Sequence, residues 1–214
     1  MMLQINLDEL ASVLINQAAN QRTIVAIAGP PGAGKTTITQ KLSKLINKQH
    51  LGMCSILPMD GYHFDDIYLE QMAWRTRKGA PHTFDVSGLA HMLSRLKANN
   101  EKQIAVPIFD RSIEIARAGA RMIPQSVQII LAEGNYLLLK QAPWDKLAVY
   151  FDITVMLKAS RITLEKRLQN RWIKHGLSSD EIYSKLNEND LPNVETVINM
   201  STTADYLILT DEPG

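Results

Sequence analysis

The spacing of apolar residues divides the chain into alternating helices and strands. Stretches in which apolar residues recur every three or four positions predict amphipathic helices, because such residues fall on one helix face. These helical stretches span residues 7–19, 38–46, 89–96 and 160–175. Ser178, followed three positions later by Glu181, is a capping-box pattern and predicts that a further helix begins there.

Short apolar runs lie between the helical stretches and predict strands that are covered on both faces. The runs are at 23–28, 55–59, 127–132, within 148–157 and at 205–209. Strands that alternate with helices predict an α/β fold, in which a mainly parallel, doubly wound sheet lies between two layers of helices. Ligands bind to such sheets at the carboxyl ends of the strands, so residues that directly follow a strand are the first candidates for a site.

Composition and charge narrow the class of protein. The 214 residues have a mass of 24.0 kDa, which predicts a single domain over residues 1–214. Lys and Arg total 23 and Asp and Glu total 22, so the charge balance calls for neither a nucleic acid nor an anionic membrane as partner. The single cysteine, Cys54, excludes an internal disulfide and a multi-cysteine zinc site. Without a basic leader or an apolar run of roughly 20 residues, we expect a cytoplasmic protein that has no membrane partner.

The strongest motif directly follows the run at 23–28. It reads Gly29-Pro30-Pro31-Gly32-Ala33-Gly34-Lys35-Thr36 and fits the pattern G-x-x-x-x-G-K-[ST] in full. In this pattern the glycines let backbone N–H groups wrap a phosphate, and the following helix points the positive end of its dipole at the same anion. Lys35 reaches the β- and γ-phosphates, and the Thr36 hydroxyl suits Mg²⁺. We therefore predict that these residues, together with Thr37, bind ATP and Mg²⁺.

Two carboxylates directly follow predicted strands. Glu133 ends the run at 127–132 and, next to the phosphate loop, suits a Mg²⁺ ligand, directly or through a water molecule. Asp60 follows the run at 55–59, where an aspartate is placed to accept the proton of an attacking hydroxyl. The simpler alternatives are a surface acid at a strand end for Glu133 and a turn aspartate before Gly61 for Asp60.

Five segments carry a resemblance to a known family. They are Gly29–Thr37, Leu57–His63 (LPMDGYH), Gly79–Asp85 (GAPHTFD), Val106–Arg111 (VPIFDR) and Leu131–Tyr136 (LAEGNY). In this order they resemble the phosphoribulokinase/uridine kinase family, which also includes bacterial pantothenate kinase, over roughly residues 20–210. The closest similarity is to a bacterial branch labelled fructose transport system kinase or nucleoside/nucleotide kinase-like. The segments around Asp60 and Glu133 are more selective than the phosphate loop, which many NTPases share.

The resemblance implies a P-loop kinase with a helical lid that transfers the γ-phosphate of ATP to a hydroxyl group. The acceptor would be a small molecule such as a sugar, a nucleoside or a pantothenate-like compound. Asp60 matches the family's catalytic base, and Tyr62 and His63 would line the acceptor pocket. Arg111 would lie near the acceptor or its phosphate.

Asp85 would match a residue on the acceptor side of the family's site. It could equally cap the helix that begins near Ser87, so two interpretations of Asp85 remain open. The order Pro81-His82 and the segment Phe109-Asp110-Arg111 depart from the uridine kinase pattern. These departures put uridine itself in doubt and leave the acceptor open.

The helical stretch at 160–175 supplies a second group of predicted site residues. Arg167 and Arg171 lie one helical turn apart on a basic stripe. In the resembling family the corresponding region, about 160–180 here, closes over ATP as a lid, and its arginines neutralise charge on the transferring phosphoryl group. We therefore predict that both arginines are catalytic; the simpler alternative is a solvated basic face. Trp172 lies on the neighbouring apolar stripe, which we expect to pack against the protein.

Two alternative functions remain open from the sequence. Arg75, Arg77 and Lys78 form a smaller basic cluster that either meets an anionic acceptor or is exposed, and it keeps a nucleoside monophosphate kinase possible. A regulatory P-loop NTPase without a small-molecule acceptor is the other, because residues 85–88 match a D-x-x-G switch element. Such switches recognise guanine through Asn-Lys-x-Asp after a later strand, whereas the Asn-Lys pair here is early and is followed by Gln-His. Asn193 is a weaker candidate for a contact near the nucleotide.

Overall fold

The computed structural model describes residues 2–19 and 21–211, and its centre is a six-stranded sheet in which every pair of neighbouring strands is parallel. The strands in these ranges are β1 Leu3–Gln4, β2 Thr23–Ala28, β3 Cys54–Pro58, β4 Gln103–Asp110, β5 Ile115–Pro124, β6 Ile129–Gly134, β7 Ile153–Lys158 and β8 Tyr206–Leu209. The order across the sheet is β1-β8-β7-β2-β6-β3. β4 and β5 form a separate antiparallel pair.

Helices connect these strands. They are α1 Leu7–Gln17, α2 Lys35–Gln49, α3 Asp66–Gln71, α4 Val86–Ala98, α5 Arg161–Lys174, α6 Ser179–Lys185 and α7 Leu191–Met200. Short 3₁₀ segments lie at Met59–Tyr62, Arg75–Arg77, Pro81–Thr83 and Trp144–Tyr150, and a π-helical turn at Leu186–Asp190 joins α6 to α7. Within the described ranges, none of the helices has the length and apolar character needed to cross a membrane.

Helices cover both faces of the sheet because its central strands are apolar on both sides. Every residue of β2 and of β6 is buried. Successive residues of a strand point to opposite faces, so Ile24 packs in one hydrophobic core with α4, while Val25 packs in a second core with α1 and α2. The predicted three-layer αβα sandwich with a mainly parallel sheet is confirmed.

The strand register brings three strand ends to one edge of the sheet. β2 pairs with β6 so that Ala28 lies opposite Gly134, and β3 pairs with β6 so that Pro58 lies opposite Glu133. From this edge the chain enters the phosphate loop after β2 and the 3₁₀ segment of Asp60 after β3. The two predicted carboxylates therefore lie beside the loop.

The apolar run within 148–157 contains a strand, as predicted, but its first part is helical. Trp144–Tyr150 forms a 3₁₀ segment, and β7 begins only at Ile153. Trp144 and Leu147 are buried in the core that contains α4. In the segment before β7, apolar character therefore reflects burial of one side of a short helix rather than an extended backbone.

The apolar pattern does not predict the antiparallel pair of β4 and β5. Pro107 interrupts β4, where the pairing register shifts between Val106 and Ile108. Most of β5 is exposed, so it lacks the continuous apolar run of a buried parallel strand. This hairpin, residues 103–124, contacts the 3₁₀ segment that carries Asp60 and so contributes to the site.

Arg22 joins β2 to neighbouring segments at the edge of the sheet opposite the phosphate loop. Its Nε donates to the carbonyl oxygen of Val127 at 2.8 Å, and Nη1 donates to that of Leu96 at 3.2 Å. Nη2 donates to the carbonyl oxygens of Pro124 and Gln125 at 2.9 and 3.0 Å. Arg22 is only 5% exposed. The buried guanidinium therefore supplies donors to the last turn of α4 and to the turn before β6.

We expect Arg22→Met to lower the free energy of unfolding by about 3 kcal/mol, because it removes buried donors from the carbonyl oxygens of Val127 and Leu96. Urea unfolding followed by circular dichroism measures this change. Arg161→Met is the control, because Arg161 is exposed and its ion-pair partners among the described residues are Glu165 and Glu195. This variant should cost less than about 1 kcal/mol. Equal losses in the two variants would contradict the role assigned to Arg22.

Candidate active site

The phosphate-binding loop connects β2 to α2, and its shape depends on glycine. Gly32 and Gly34 both have a φ of +82°, a backbone conformation that other residues adopt at a cost. At Gly29 an added Cβ would lie 2.9 Å from the carbonyl oxygen of Leu157 on β7. Gly34 caps α2 without a side-chain hydrogen bond, so the first N–H groups of that helix have no acceptor within it. The loop therefore presents backbone donors and the positive end of a helix dipole to an anion.

Lys35 and Glu133 are two desolvated, oppositely charged groups beside this loop. Lys35 Nζ donates to the carbonyl oxygen of Pro30 at 3.0 Å. Burial lowers the pKa of Lys35 to about 8, although the charges of Glu133 and Asp60 act in the opposite direction. Burial, reinforced by the charge of Asp60, raises the pKa of Glu133. Thr36 Oγ1 donates to Glu133 Oε1 at 3.2 Å, which brings a hydroxyl and a carboxylate together.

Asp60 lies directly after β3 and faces the β4–β5 hairpin. Arg111 Nη2 donates to Asp60 Oδ2 at 2.6 Å. His63 Nδ1 lies 2.8 Å from the carbonyl oxygen of Asp60 and therefore donates to it, and burial lowers the pKa of this imidazole. The ring centroid of His63 lies 4.0 Å from that of Phe84 and 4.7 Å from that of Phe109. The histidine is thus held in one orientation beside the aspartate.

A cavity of about 460 Å³ joins these groups. The predicted site residues that line it are Pro31, Gly32, Gly34, Lys35, Thr36, Thr37, Asp60, His63, Arg111, Glu133, Arg167 and Arg171. The predicted site residues Gly29, Pro30, Ala33, Tyr62 and Asp85 do not line it. The structure therefore places the loop, both predicted carboxylates and both arginines of α5 around one space.

Tyr62 and Asp85 lie behind the wall of the cavity. Tyr62 is 8% exposed and packs in the core that contains α4. Its buried hydroxyl has no hydrogen-bond partner in the described part of the chain. Asp85 Oδ1 accepts from the Gly88 N–H at 2.8 Å and so caps α4. In this structure Asp85 has the capping role that the sequence left open, and neither Tyr62 nor Asp85 lines the cavity.

The two arginines of α5 differ in their contacts. Arg167 Nη1 lies 3.3 Å from the carbonyl oxygen of Gly32, and its Nη2 donates to the carbonyl oxygen of Thr210. Arg167 therefore ties the phosphate loop to the segment after β8. The Arg171 guanidinium stacks over the Trp172 ring at 5.0 Å, and within residues 2–19 and 21–211 it has no hydrogen-bond acceptor. Burial, reinforced by the charge of Arg111, lowers the pKa of Arg171.

The three basic residues at 75–78 have different positions relative to the cavity. Arg75 and Lys78 line the cavity, whereas Arg77 donates to the carbonyl oxygen of Glu188 and, at 3.4 Å, to Asn193 Oδ1. Asn193, the weaker candidate, also lines the cavity. The side chains of Arg75 and Lys78 thus line the cavity, whereas that of Arg77 contacts the π-helical turn and α7.

Further lining residues were not predicted from the sequence. They are Gly79, Phe84, Phe109, Glu114, Asn135, Trp172, Lys185, Asn189 and Asp190. Trp172, which was expected only to pack, also donates from Nε1 to Asp190 Oδ2 at 2.6 Å. Several of these residues lie on the hairpin and the π-helical turn, whose place beside the loop depends on tertiary packing. Gly79, Phe84, Phe109 and Asn135 lie in the segments that carry the family resemblance, so those segments were a signal for them. No motif marks the other five residues.

The lining residues fit ATP and Mg²⁺. The uncapped first turn of α2 provides donors for phosphate oxygens, and the adjacent oxygens of Thr36 and Glu133 are ligands of the kind that Mg²⁺ takes. In the described ranges, no group of three or more His, Cys, Asp or Glu side chains is arranged to hold a metal ion by itself. Proteins usually bind Mg²⁺ through one or two carboxylates together with substrate phosphates, and Glu133 is the carboxylate beside Thr36 here.

The sequence and the geometry agree with one known family. The model of the Phosphoribulokinase / Uridine kinase family matches residues 24–210, which is most of the chain. The chain belongs to this family. It is accordingly an ATP-dependent kinase, a phosphotransferase with an alcohol group as acceptor.

Relatives of this kinase cover nearly its whole length. YggC of Escherichia coli K12, described as an uncharacterized protein, is 32% identical over 91% of this chain and 80% of its own. A "putative uridine kinase" of Schizosaccharomyces pombe is 28% identical over 97% of this chain and 94% of its own. The crystal structure of a "putative fructose transport system kinase" from Silicibacter sp. TM1040 superposes with a TM-score of 0.87 and 33% identity, over 95% of this chain and 98% of that chain.

We expect a pulse of acetic anhydride at pH 8 to acetylate Lys35 of this kinase ahead of Lys44, an exposed lysine on the same helix. With a pKa of about 8, about half of the Lys35 side chains are free amines at that pH, against about 0.4% for an ordinary lysine of pKa about 10.4. Peptide mass spectrometry measures both rates. The Lys35 rate should level off above pH 8 and fall when ATP is added. A rate that keeps rising tenfold per pH unit to pH 10 would contradict the lowered pKa.

Proposed function

We propose that this kinase transfers the γ-phosphate of ATP to a hydroxyl group of a sugar, nucleoside or pantothenate-like acceptor, with Asp60 as general base and Mg²⁺ assistance. The observation that carries the proposal is that Asp60 lines the same cavity as the phosphate loop and Lys35. Phosphoryl transfer needs the acceptor oxygen, the phosphorus and the leaving oxygen in line, together with positive charge around the transferring group.

Asp60 is suited to take the proton of the acceptor hydroxyl. Its Oδ2 accepts from Arg111, while Oδ1 has no partner in the described part of the chain and is available to a substrate. The His63 ring, held on the backbone of Asp60, gives the acceptor a fixed wall. A hydroxyl bound at Oδ1 would lose its proton to Asp60 as its oxygen attacks the γ-phosphate.

Positive groups surround the position of the triphosphate. Lys35 and the backbone donors of the loop hold the phosphates, and Arg171 has free donors for the charge that develops on the transferring group. Thr36 and Glu133 would hold Mg²⁺, which would supply positive charge to neutralise the triphosphate. We also infer that the region at 160–180 acts as the lid, because Gly176, between α5 and α6, has a φ of +78° and open space around it. Closure would keep water from competing with the acceptor.

We expect Asp60→Asn to lower kcat by about 10²- to 10⁴-fold with little change in the KM for ATP, because the variant removes the base and keeps the shape. The assay measures ADP release over a panel of nucleosides, hexoses, pantothenate and glycerate. Mass spectrometry identifies any product heavier by one phosphate. Asp65→Asn is the matched control, because Asp65 caps α3 outside the cavity and asparagine caps equally well.

Other outcomes of this experiment support the alternatives. Acceptor-dependent transfer that survives Asp60→Asn within about tenfold would favour a nucleoside monophosphate kinase, since a phosphate acceptor needs no base. ADP release that is independent of every acceptor and unaffected by Asp60→Asn would favour a regulatory NTPase.

The two lid arginines should give different kinetic effects. We expect Arg171→Gln to lower kcat by about 10²- to 10³-fold, less than the 10³–10⁵ attributed to arginine fingers in GTPases, because Lys35 remains. Arg167→Gln should mainly raise the KM for ATP and lower the melting temperature, because Arg167 holds Gly32 and Thr210. Steady-state kinetics and thermal unfolding separate these effects. The reverse assignment of kcat and KM effects would contradict the proposed roles.

A further inference from the structure

We propose that Arg75 and Lys78, held in place by Asp66, form an anion-binding subsite at the acceptor end of the cavity. The acceptor is then a hydroxy compound that also carries a carboxylate or phosphate group. This inference rests on the proposed function and narrows its acceptor class. It starts from two cations that line the cavity but that the transfer chemistry does not use.

One carboxylate is shared between the two cations. Arg75 Nε lies 2.7 Å from Asp66 Oδ2, and Lys78 Nζ lies 2.6 Å from Asp66 Oδ1. Burial alone would raise the pKa of Asp66, but the hydrogen bond and charge of Lys78 and the charge of Arg75 outweigh it and lower this pKa. Asp66 is therefore ionised at neutral pH, and the cluster has one negative and two positive charges.

The cluster keeps unused hydrogen-bond donors. A guanidinium has five N–H groups, and Arg75 uses only its Nε on Asp66. Its two Nη groups have no acceptor among the described residues, and 41% of the side chain is exposed. Two free Nη groups match the bidentate geometry in which arginine binds carboxylates and phosphates. Because Arg75 lines the cavity, this pair of donors is available to a ligand there.

Lys78 connects the cluster to the catalytic end. Its side chain is 8% exposed, and Nζ also donates to the carbonyl oxygen of Glu114 at 2.7 Å. Nζ lies 5.2 Å from the centroid of the Phe109 ring, which packs on His63 beside Asp60. The carbon skeleton of a small acceptor can therefore lie along these two rings, with its hydroxyl at Asp60 and its anionic group at the cluster.

The cluster is separate from the positive groups that face ATP. Asp66, which pairs with both cations, lies on α3, and the Glu114 carbonyl that accepts from Lys78 lies between β4 and β5. The phosphate loop instead joins β2 to α2. A purely structural cluster would only tie α3 to the segment at 75–79, and in that case its loss would affect anionic and neutral acceptors equally.

The first experiment compares acceptors in matched pairs. The pairs are glycerate with glycerol, pantothenate with pantothenol, and ribose 5-phosphate with ribose, each assayed for ATP-dependent phosphorylation. We expect the anionic member of at least one pair to be phosphorylated with a kcat/KM at least about tenfold higher than that of its neutral partner. A neutral member that is used as well as or better than its anionic partner in the pair with the highest activity would overturn the subsite and leave the kinase proposal intact.

Variants of Arg75 distinguish a role in binding the acceptor from a purely structural role. Arg75→Gln should raise the KM for the anionic acceptor by about 10- to 100-fold, with kcat, the KM for ATP and the melting temperature nearly unchanged. Arg75→Lys should raise this KM less than Arg75→Gln does, because lysine keeps the positive charge but lacks the paired N–H donors of the guanidinium. Arg95→Gln is the matched control, since Arg95 has a similar ion pair with Glu101 and lies outside the cavity. Equal losses with anionic and neutral acceptors would show a structural role only.

A binding measurement tests the subsite without turnover. With adenylyl imidodiphosphate and Mg²⁺ at saturation, inorganic phosphate should raise the melting temperature of the wild type beyond chloride at equal ionic strength. This rise should be lost in Arg75→Gln and kept in Arg95→Gln. No phosphate-dependent rise in the wild type, or an equal rise in Arg75→Gln, would overturn the subsite. Failure of the nucleotide analogue itself to stabilise the protein would instead contradict the proposed function.

Discussion

The parallel pairing of β2, β6 and β3 is the constraint on which the rest of this kinase depends. Parallel strands all end at the same edge of a sheet, and here the register sets Ala28 opposite Gly134 and Pro58 opposite Glu133. The phosphate loop, the Glu133 carboxylate and the candidate base Asp60 therefore meet although they are far apart in sequence. A shift of one residue in either pairing would turn Glu133 or the loop to the other face of the sheet.

The same edge of the sheet brings together desolvated charges. Without a ligand, these charges lower the stability of the folded protein. Burial opposes the charged form of both Lys35 and Glu133, and the pKa of Glu133 is raised further by Asp60. Arg171 is similarly desolvated and lies near Arg111. Shifted pKa values in one cleft are typical of functional sites. A triphosphate and a divalent cation together would neutralise these charges, so their binding is expected to stabilise the fold.

The end of the cavity that contains Arg75 and Lys78 is formed by irregular segments, which are hydrogen-bonded to one another. Asn189 Nδ2 in the π-helical turn donates to the carbonyl oxygen of Lys78 at 3.0 Å. Tyr136 Oη donates to the carbonyl oxygen of Gly79 at 2.6 Å. The π-helical turn and the strand-end motif at Glu133 thus both hold the segment that carries Arg75 and Lys78.

The sequence by itself determined the sandwich, the phosphate loop and the two strand-end carboxylates, because each depends on a local pattern. Continuous apolar runs specify buried strands, and a glycine-rich turn before a helix specifies a phosphate loop wherever it occurs. Only the tertiary structure decided that Tyr62 is in the core, and that Arg75 lines the cavity while Arg77 does not. Those outcomes depend on how the β4–β5 hairpin and the π-helical turn pack beside the sheet. Such packing joins residues distant in the chain, and no local spacing encodes it.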